Sequence, residues 1–259
     1  LTALAASWKG KVGSALITDN ASARLGVSAL LTAERLGREG IEPILTVSCR
    51  DSNRIALGST VLGAAAASVR TLLCVSGDHP TFGDHQDAKP VYDIDSVQLI
   101  AMVRAMEQGR DAAGNELQPL PGFCLAAAAC ASADPLAPQL GKARKKVRAG
   151  VDFFVTLPVF EISQLEAFLN GLDDLPIKVI AGVLLPRYEE VACYKDGSIP
   201  GTFIPHDLVE QWRTLNPEAF RTASADHTKR LVADLRSRGK VAGVCVSAPG
   251  REDEILEIL

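Results

Sequence analysis

The residues best placed by type and spacing to do chemistry lie in Thr71 to Pro80, TLLCVSGDHP. An apolar, β-branched run leads into Ser76, Gly77, Asp78 and His79, which is how a buried parallel strand delivers polar groups at its carboxyl end. In α/β proteins that end carries the site. A glycine before an aspartate suits a sharp turn in which backbone N–H groups and one carboxylate face a ligand. A turn aspartate that only turns is the competing reading, and spacing leaves both open. Arg50 and Asp51 stand just past another strand-like run and can form an ion pair, while Asn53 and Arg54 begin a helix. Capping accounts for these residues as well as ligand contact does. His79 and His85 suit acid, base or ligand roles, yet the sequence supplies neither with a partner, so both read as polar loop residues.

These residues need elements to position them. Strand-like segments fall at 13–18, 43–48, 71–76, 123–128, 152–156, 177–183 and 241–246, and helical patterns alternate with them. Val27, Leu30 and Leu31 share a face after the first strand. Leu57, Val61, Ala64 and Ala65 form a stripe after the second, with Asp51 or Ser52 as N-cap. Leu99, Met102, Val103 and Met106 form another after the third. Alternation of this kind means a parallel sheet covered by helices. Seven strands at about 31 residues per βα unit point to a (β/α)8 TIM barrel of residues 1–259, with the first βα unit upstream of Leu1 and residues 1–8 as the tail of its helix. An open doubly wound sheet is less favoured, because no GxGxxG follows a strand. The long segment from Tyr188 to Lys240 is expected to carry an extra helix around His206 to Leu215, and no linker or domain boundary stands out.

Composition narrows the function classes. The chain has 259 residues, 47% hydrophobic and 22% charged, so it can bury a large core. Its net charge of −4 argues against a dedicated nucleic-acid binder. No apolar run reaches membrane-spanning length. Six cysteines, Cys49, Cys74, Cys124, Cys130, Cys193 and Cys245, lie mostly in or beside expected strands without a CxxC pair. They read as reduced, buried small hydrophobes of a cytoplasmic protein, and no metal site is indicated.

One block carries a resemblance. Residues 48 to 99, opening SCRDSNR and containing GDHPTFGDH, closely resemble the flavin-dependent methylenetetrahydrofolate reductase family, in particular its short bacterial single-domain forms. ITDNASAR (17–24), the ADP and KKVRAGVDFF elements between Ala133 and Phe154, and PGREDE near the end extend the likeness over most of the chain. The resemblance implies a (β/α)8 barrel binding FAD at its carboxyl strand ends, and reduction of 5,10-methylenetetrahydrofolate to 5-methyltetrahydrofolate with NADH or another electron donor.

Carried over by position, Thr18 would hydrogen-bond the flavin ring, with Thr46, Ser76, Gly77 and Asp78 along the same edge. Asp78 would also reach the pterin, where a carboxylate accepts hydrogen bonds and disfavours negative charge on reduced flavin. Ala127, Ala129 and Ala133 would let the cofactor lie against the backbone, although an alanine-rich strand reads equally as close helix–sheet packing. Lys142 and Lys146, i and i+4 on one helical face, would meet phosphates or ribose; KARKKVR is equally a solvated face. Tyr92 and Asp93 would border the cofactor. Leu157 departs from the family, which usually has a pterin-binding glutamine there, and its loss would cost roughly 1 to 3 kcal/mol. Tyr188 would offer an aromatic wall, or be buried between helix and strand. The family's general acid is a glutamate on the first strand, which this sequence does not include. A noncatalytic flavin- or folate-binding subunit, assisting a methyltransferase or electron-transfer partner, is the alternative, and homo-oligomerisation stays open.

Overall fold

The computed structural model describes residues 2–195 and 199–259, so Leu1 lies outside the described residues. The chain divides into two compact units, Leu1–Ala128 with Lys145–Asp152, and Ala129–Arg144 with Phe153–Leu259. All seven expected strands form, and their order in the sheet follows the chain, as in the (β/α)-barrel class of α/β folds.

In the first unit, β1 (Ala15–Ile17), β2 (Pro43–Ser48), β3 (Thr71–Val75) and all but the last residue of β4 (Cys124–Ala129) pair parallel in sequence order. All six residues of β2 are buried, which is why its sequence is a nearly unbroken apolar run rather than an alternation. The helices of this unit are α1 (Thr2–Trp8), α2 (Ala29–Arg38), α3 (Arg54–Ala66) and α4 (Ser96–Glu107). Asn53, not Asp51 or Ser52, caps α3, its Oδ1 accepting from the Ile55 and Ala56 amides at 3.1 Å. Asp51 is withdrawn from capping by its pairing with Arg50. A capping box starts α4: Asp95 accepts from the Val97 and Gln98 amides, and Gln98 accepts from the Asp95 amide. The stripe Leu99, Met102, Val103 and Met106 is buried as expected.

The expected face of α2 is not the one used. The chain bends at Val27, Ser28 is the N-cap, and the helix buries Ala29, Ala33 and Leu36 while Val27 and Leu31 face solvent. The helix packs through Ala29, Ala33 and Leu36, with Leu30 half-buried against Gly63, so of the expected face it is Leu31 and the preceding Val27 that are left outside.

In the second unit, α5 (Ala137–Ala149) ends within the first unit's segment, and β5 (Phe153–Thr156), β6 (Lys178–Leu184) and β7 (Gly243–Ser247) pair parallel. The helices α6 (Ile162–Asn170), α7 (Tyr188–Ala192), α8 (His206–Arg213), α9 (Pro217–Arg238) and α10 (Ile255–Ile258) complete it. The expected extra helix is α8. An aromatic cluster of Phe160, Trp212 and Phe220, packed edge to face, joins α8 and α9 to the end of β5. Arg251, 8% exposed, pins the chain end: it donates to the Pro186 and Arg221 carbonyls and the Ser224 hydroxyl, and pairs with Glu254 at 2.6 Å.

Candidate functional site

The polar residues of the first unit gather where β1, β2 and β3 end, and Arg50 organises them. Only 2% exposed, it pairs with Asp51 through Nε at 2.8 Å and Nη2 at 2.6 Å. Its Nη1 donates to the Asp78 carbonyl at 3.3 Å, and Nη2 donates to the Asn20 carbonyl at 3.1 Å. One guanidinium therefore ties together the loops after three adjacent strands. Asn20 closes the ring by donating to Asp51 at 3.3 Å. Gly77, with φ +87°, lets the β3 end turn tightly against this arginine; a Cβ there would sit 2.4 Å from Ser48 Oγ and 2.9 Å from Arg50 Cβ. The Tyr92 hydroxyl donates to the Gly77 carbonyl at 3.1 Å from a residue itself held at φ 40°.

Electrostatics separate the carboxylates. Burial pushes the Asp78 pKa above its ordinary value, against the pull of Arg50. Burial also raises Asp19, helped by repulsion from Asp51 and opposed by the Ser48 backbone and Arg50. Asp51 is held low by its hydrogen bonds from Arg50 and Asn20, against burial. One carboxylate is thus committed to the arginine, while two others stand where neutrality is cheaper.

Thr18 is exposed immediately beyond β1, and Thr46 is buried in β2 with its hydroxyl unpartnered. Ser76 turns its hydroxyl to the start of α4, accepting from the Ser96 amide at 3.3 Å, so it positions that helix. Asp93 is committed to α3: its carboxylate accepts from the Arg54 amide and holds the Arg54 guanidinium at 2.8 and 2.9 Å. Ala127 is wholly buried in β4, and Lys146 donates to the Ala128 carbonyl at 2.7 Å. His79 meets Thr81 and His85 meets Asp84, both at 2.9 Å on exposed loops.

In the second unit, Ala129 is buried, Ala133 is half-buried and Lys142 is exposed. Ser132 beside Ala133 has a buried hydroxyl without a partner. Leu157 packs on Gly201, where an added Cβ would lie 2.1 Å from Leu157 Cδ1. Tyr188 sets its ring edge-on against Phe220 at 5.5 Å, the packing alternative for that residue. Sequence reasoning missed Asp19 and the reach of Arg50. The Asp19-Asn20 pair directly after β1 was the available signal, since Asn20 adopts the left-handed conformation that asparagine tolerates.

The unpaired Thr46 hydroxyl fits a polar ligand rather than a dry core, because a buried hydroxyl without a partner costs free energy unless something binds it. Among the described residues, no cluster of His, Cys, Asp or Glu is arranged to hold a metal. Nor is any described helix long and apolar enough to cross a membrane.

Fold and geometry define a parallel α/β protein of the barrel class with its polar groups at the carboxyl strand ends. The family model for methylenetetrahydrofolate reductase matches residues 10–259, and the chain belongs to that family. Among solved structures, an uncharacterised protein from Clostridium thermocellum that binds two copies of 5-methyl-5,6,7,8-tetrahydrofolic acid is similar, with TM-score 0.54 and 10% identity over 84% of this chain and 71% of that one. A 2,3-dimethylmalate lyase follows at TM-score 0.46 and 11% identity, covering 92% of this chain and 80% of that one. An oxaloacetate acetylhydrolase stands at TM-score 0.45 and 14% identity, over 98% of this chain and 84% of that one. No curated protein matches the chain.

Proposed function

We propose that the protein reduces 5,10-methylenetetrahydrofolate to 5-methyltetrahydrofolate with FAD as its redox group. The observation that carries this is the half-buried Asp78 on the Gly77 turn, next to a strand whose Thr46 hydroxyl is buried and unpaired, in a chain of this family. FAD, when bound, supplies two-electron hydride chemistry between NADH or another electron donor and the methylene carbon of the folate.

Thr18, Thr46, Gly77 and Asp78 would hold the flavin ring, with Ala127 and Lys146 in the same unit as further contacts. Tyr92 supports the Gly77 turn, Ser76 fixes α4, and Asp93 fixes α3, so these three act by holding the others in place. Ala129, Ala133 and Lys142 are the second unit's candidate cofactor contacts, and Leu157 and Tyr188 its candidate folate contacts. Burial raises the Asp78 pKa against the pull of Arg50, and the carboxylate would accept hydrogen bonds from the pterin's amino group and ring N–H. Folate is also what the Clostridium thermocellum neighbour binds. A cytoplasmic setting fits free thiols and the small soluble substrate.

A noncatalytic flavin- or folate-binding subunit is favoured by one observation: the apolar Leu157, packed on Gly201, stands where the family's amide would be. Anaerobic half-reactions separate the two. Reductase activity requires the flavin band to bleach with NADH and recover on adding methylenetetrahydrofolate. A band that bleaches and never recovers with the folate would leave only the subunit.

A further inference from the structure

A cavity of about 360 Å³ opens wholly within the second unit, where the start of α6 stands beside α9. Its size is that of a small-ligand site. From α9 come His227, Arg230, Leu231, Asp234 and Arg238, and offsets of three, four, seven and eleven residues from His227 set them on one stripe of the helix. The other wall is Phe160, Glu161 and Ile162. The apolar part of the lining is well packed: Phe160 and Leu231 are buried and Ile162 is half-buried. His227 is fixed at one end, its Nε2 donating to the Phe160 carbonyl at 3.0 Å and its ring edge-on to Trp212 with centroids 5.5 Å apart. The charged lining is balanced, Arg230 and Arg238 against Glu161 and Asp234. Burial keeps the His227 pKa low and Arg230 adds to this, against the Phe160 carbonyl and Glu161, so the imidazole brings no further charge at neutral pH. Two of the four charges are engaged, since Arg238 pairs with Glu166 at 2.8 Å and Glu161 accepts from the Ser163 hydroxyl at 3.3 Å. Among the described residues, the Arg230 and Asp234 side chains have no hydrogen bond or ion pair.

We propose that this cavity binds a free α-amino acid with an apolar side chain, its carboxylate on Arg230 and its ammonium on Asp234. An anion alone would meet Glu161 and Asp234, and a cation alone would meet Arg230 and Arg238. A ligand carrying both charges is the one that complements the wall. Arg230 and Asp234 follow each other by one helical turn, with Cβ atoms about 6 Å apart, a separation that lets one reach each charged group on a common α-carbon. The ligand's side chain then covers Leu231 and Ile162, the apolar surface between the charged groups. None of the residues assigned to flavin or folate lines this cavity, so the binding is measured independently of the redox reaction.

Calorimetric titration of the full chain with L-leucine and two truncated analogues tests this: 4-methylpentanoate, which lacks the ammonium, and 3-methylbutylamine, which lacks the carboxylate. Leucine should bind one per chain, at least ~10-fold more tightly than either analogue, since each analogue forfeits one charge-assisted contact. Arg230→Gln should bring leucine down to the affinity of 3-methylbutylamine and leave the amine's own binding unchanged. Asp234→Asn should bring it down to that of 4-methylpentanoate and leave the acid's unchanged. Both positions are exposed, so circular dichroism should stay native. A wild type that leucine does not saturate, three compounds bound alike, or variants that keep the wild-type preferences or lose all three compounds together would overturn the proposal.

Discussion

Replacing Gly77 with alanine perturbs the site at its tightest point. The left-handed φ of +87° costs a residue with a Cβ roughly 1–2 kcal/mol. The new methyl would also sit 2.4 Å from Ser48 Oγ and 2.9 Å from Arg50 Cβ, so both must give way. Arg50 is buried and fully engaged with Asp51, Asn20 and the Asp78 carbonyl, and losing one such charge-assisted bond costs roughly 1.5–3 kcal/mol. The total is roughly 2.5–5 kcal/mol, and for a chain of this size the melting temperature should fall by roughly 10 °C. Calorimetry and urea unfolding read this directly, with an unchanged urea m-value showing that stability alone has moved. Gly37→Ala in α2 is the control, because no atom lies within 4 Å of a Cβ there and the change should be neutral or slightly stabilising. A Gly77→Ala protein melting within about 2 °C of wild type would refute the reasoning that this turn is held closed by Arg50.

Other perturbations give separate readings. Asp78→Asn keeps a hydrogen-bonding side chain at the flavin edge, so it should weaken FAD binding by no more than ~10-fold while slowing the folate half-reaction of the flavin-loaded protein on the order of 100-fold in stopped flow; an unchanged rate would remove Asp78 from the site. Arg251→Leu removes the bonds to the Pro186 and Arg221 carbonyls while Glu254 keeps Arg221 and the Ser224 hydroxyl keeps the Arg221 carbonyl, and should cost roughly 1.5–3 kcal/mol in urea unfolding, whereas a loss below about 1 kcal/mol would show that Arg251 does not pin this segment. Burial lowers the His227 pKa below 6.5, so the unfolded chain binds the extra proton first. The contribution of this group is full above pH 6.5 and is lost as pH falls through its folded value; His227→Gln should flatten the stability profile across that range, and an unaltered slope would contradict it.

How much of this was legible beforehand depended on how local its cause was. All seven strands could be read because buried parallel strands leave continuous apolar runs, and β2 is the plainest case. The stripe on α4 was legible for the same reason, its large residues being the ones that pack. α2 misled because it packs through Ala29, Ala33 and Leu36, leaving Val27 and Leu31 outside. The α3 cap was misplaced because the fate of Asp51 is decided by Arg50, and the reach of Arg50 to Asn20 and Asp78 spans 30 and 28 residues. No local pattern encodes such a contact. Asp78 and Thr46 could be named from the resemblance, while the unpaired state of the Thr46 hydroxyl needed the packing of β2 against β3.

That hydroxyl offers the most direct measurement: FAD binding and thermal stability of wild type and Thr46→Val side by side. Removing a buried unpaired hydroxyl should leave the flavin-free protein as stable or up to about 2 kcal/mol more so, while FAD binding, 1:1 in the wild type, weakens by roughly 5- to 10-fold. Wild-type protein that takes up no FAD, or a valine variant that binds it as tightly, would contradict a flavin seated at this edge of the sheet.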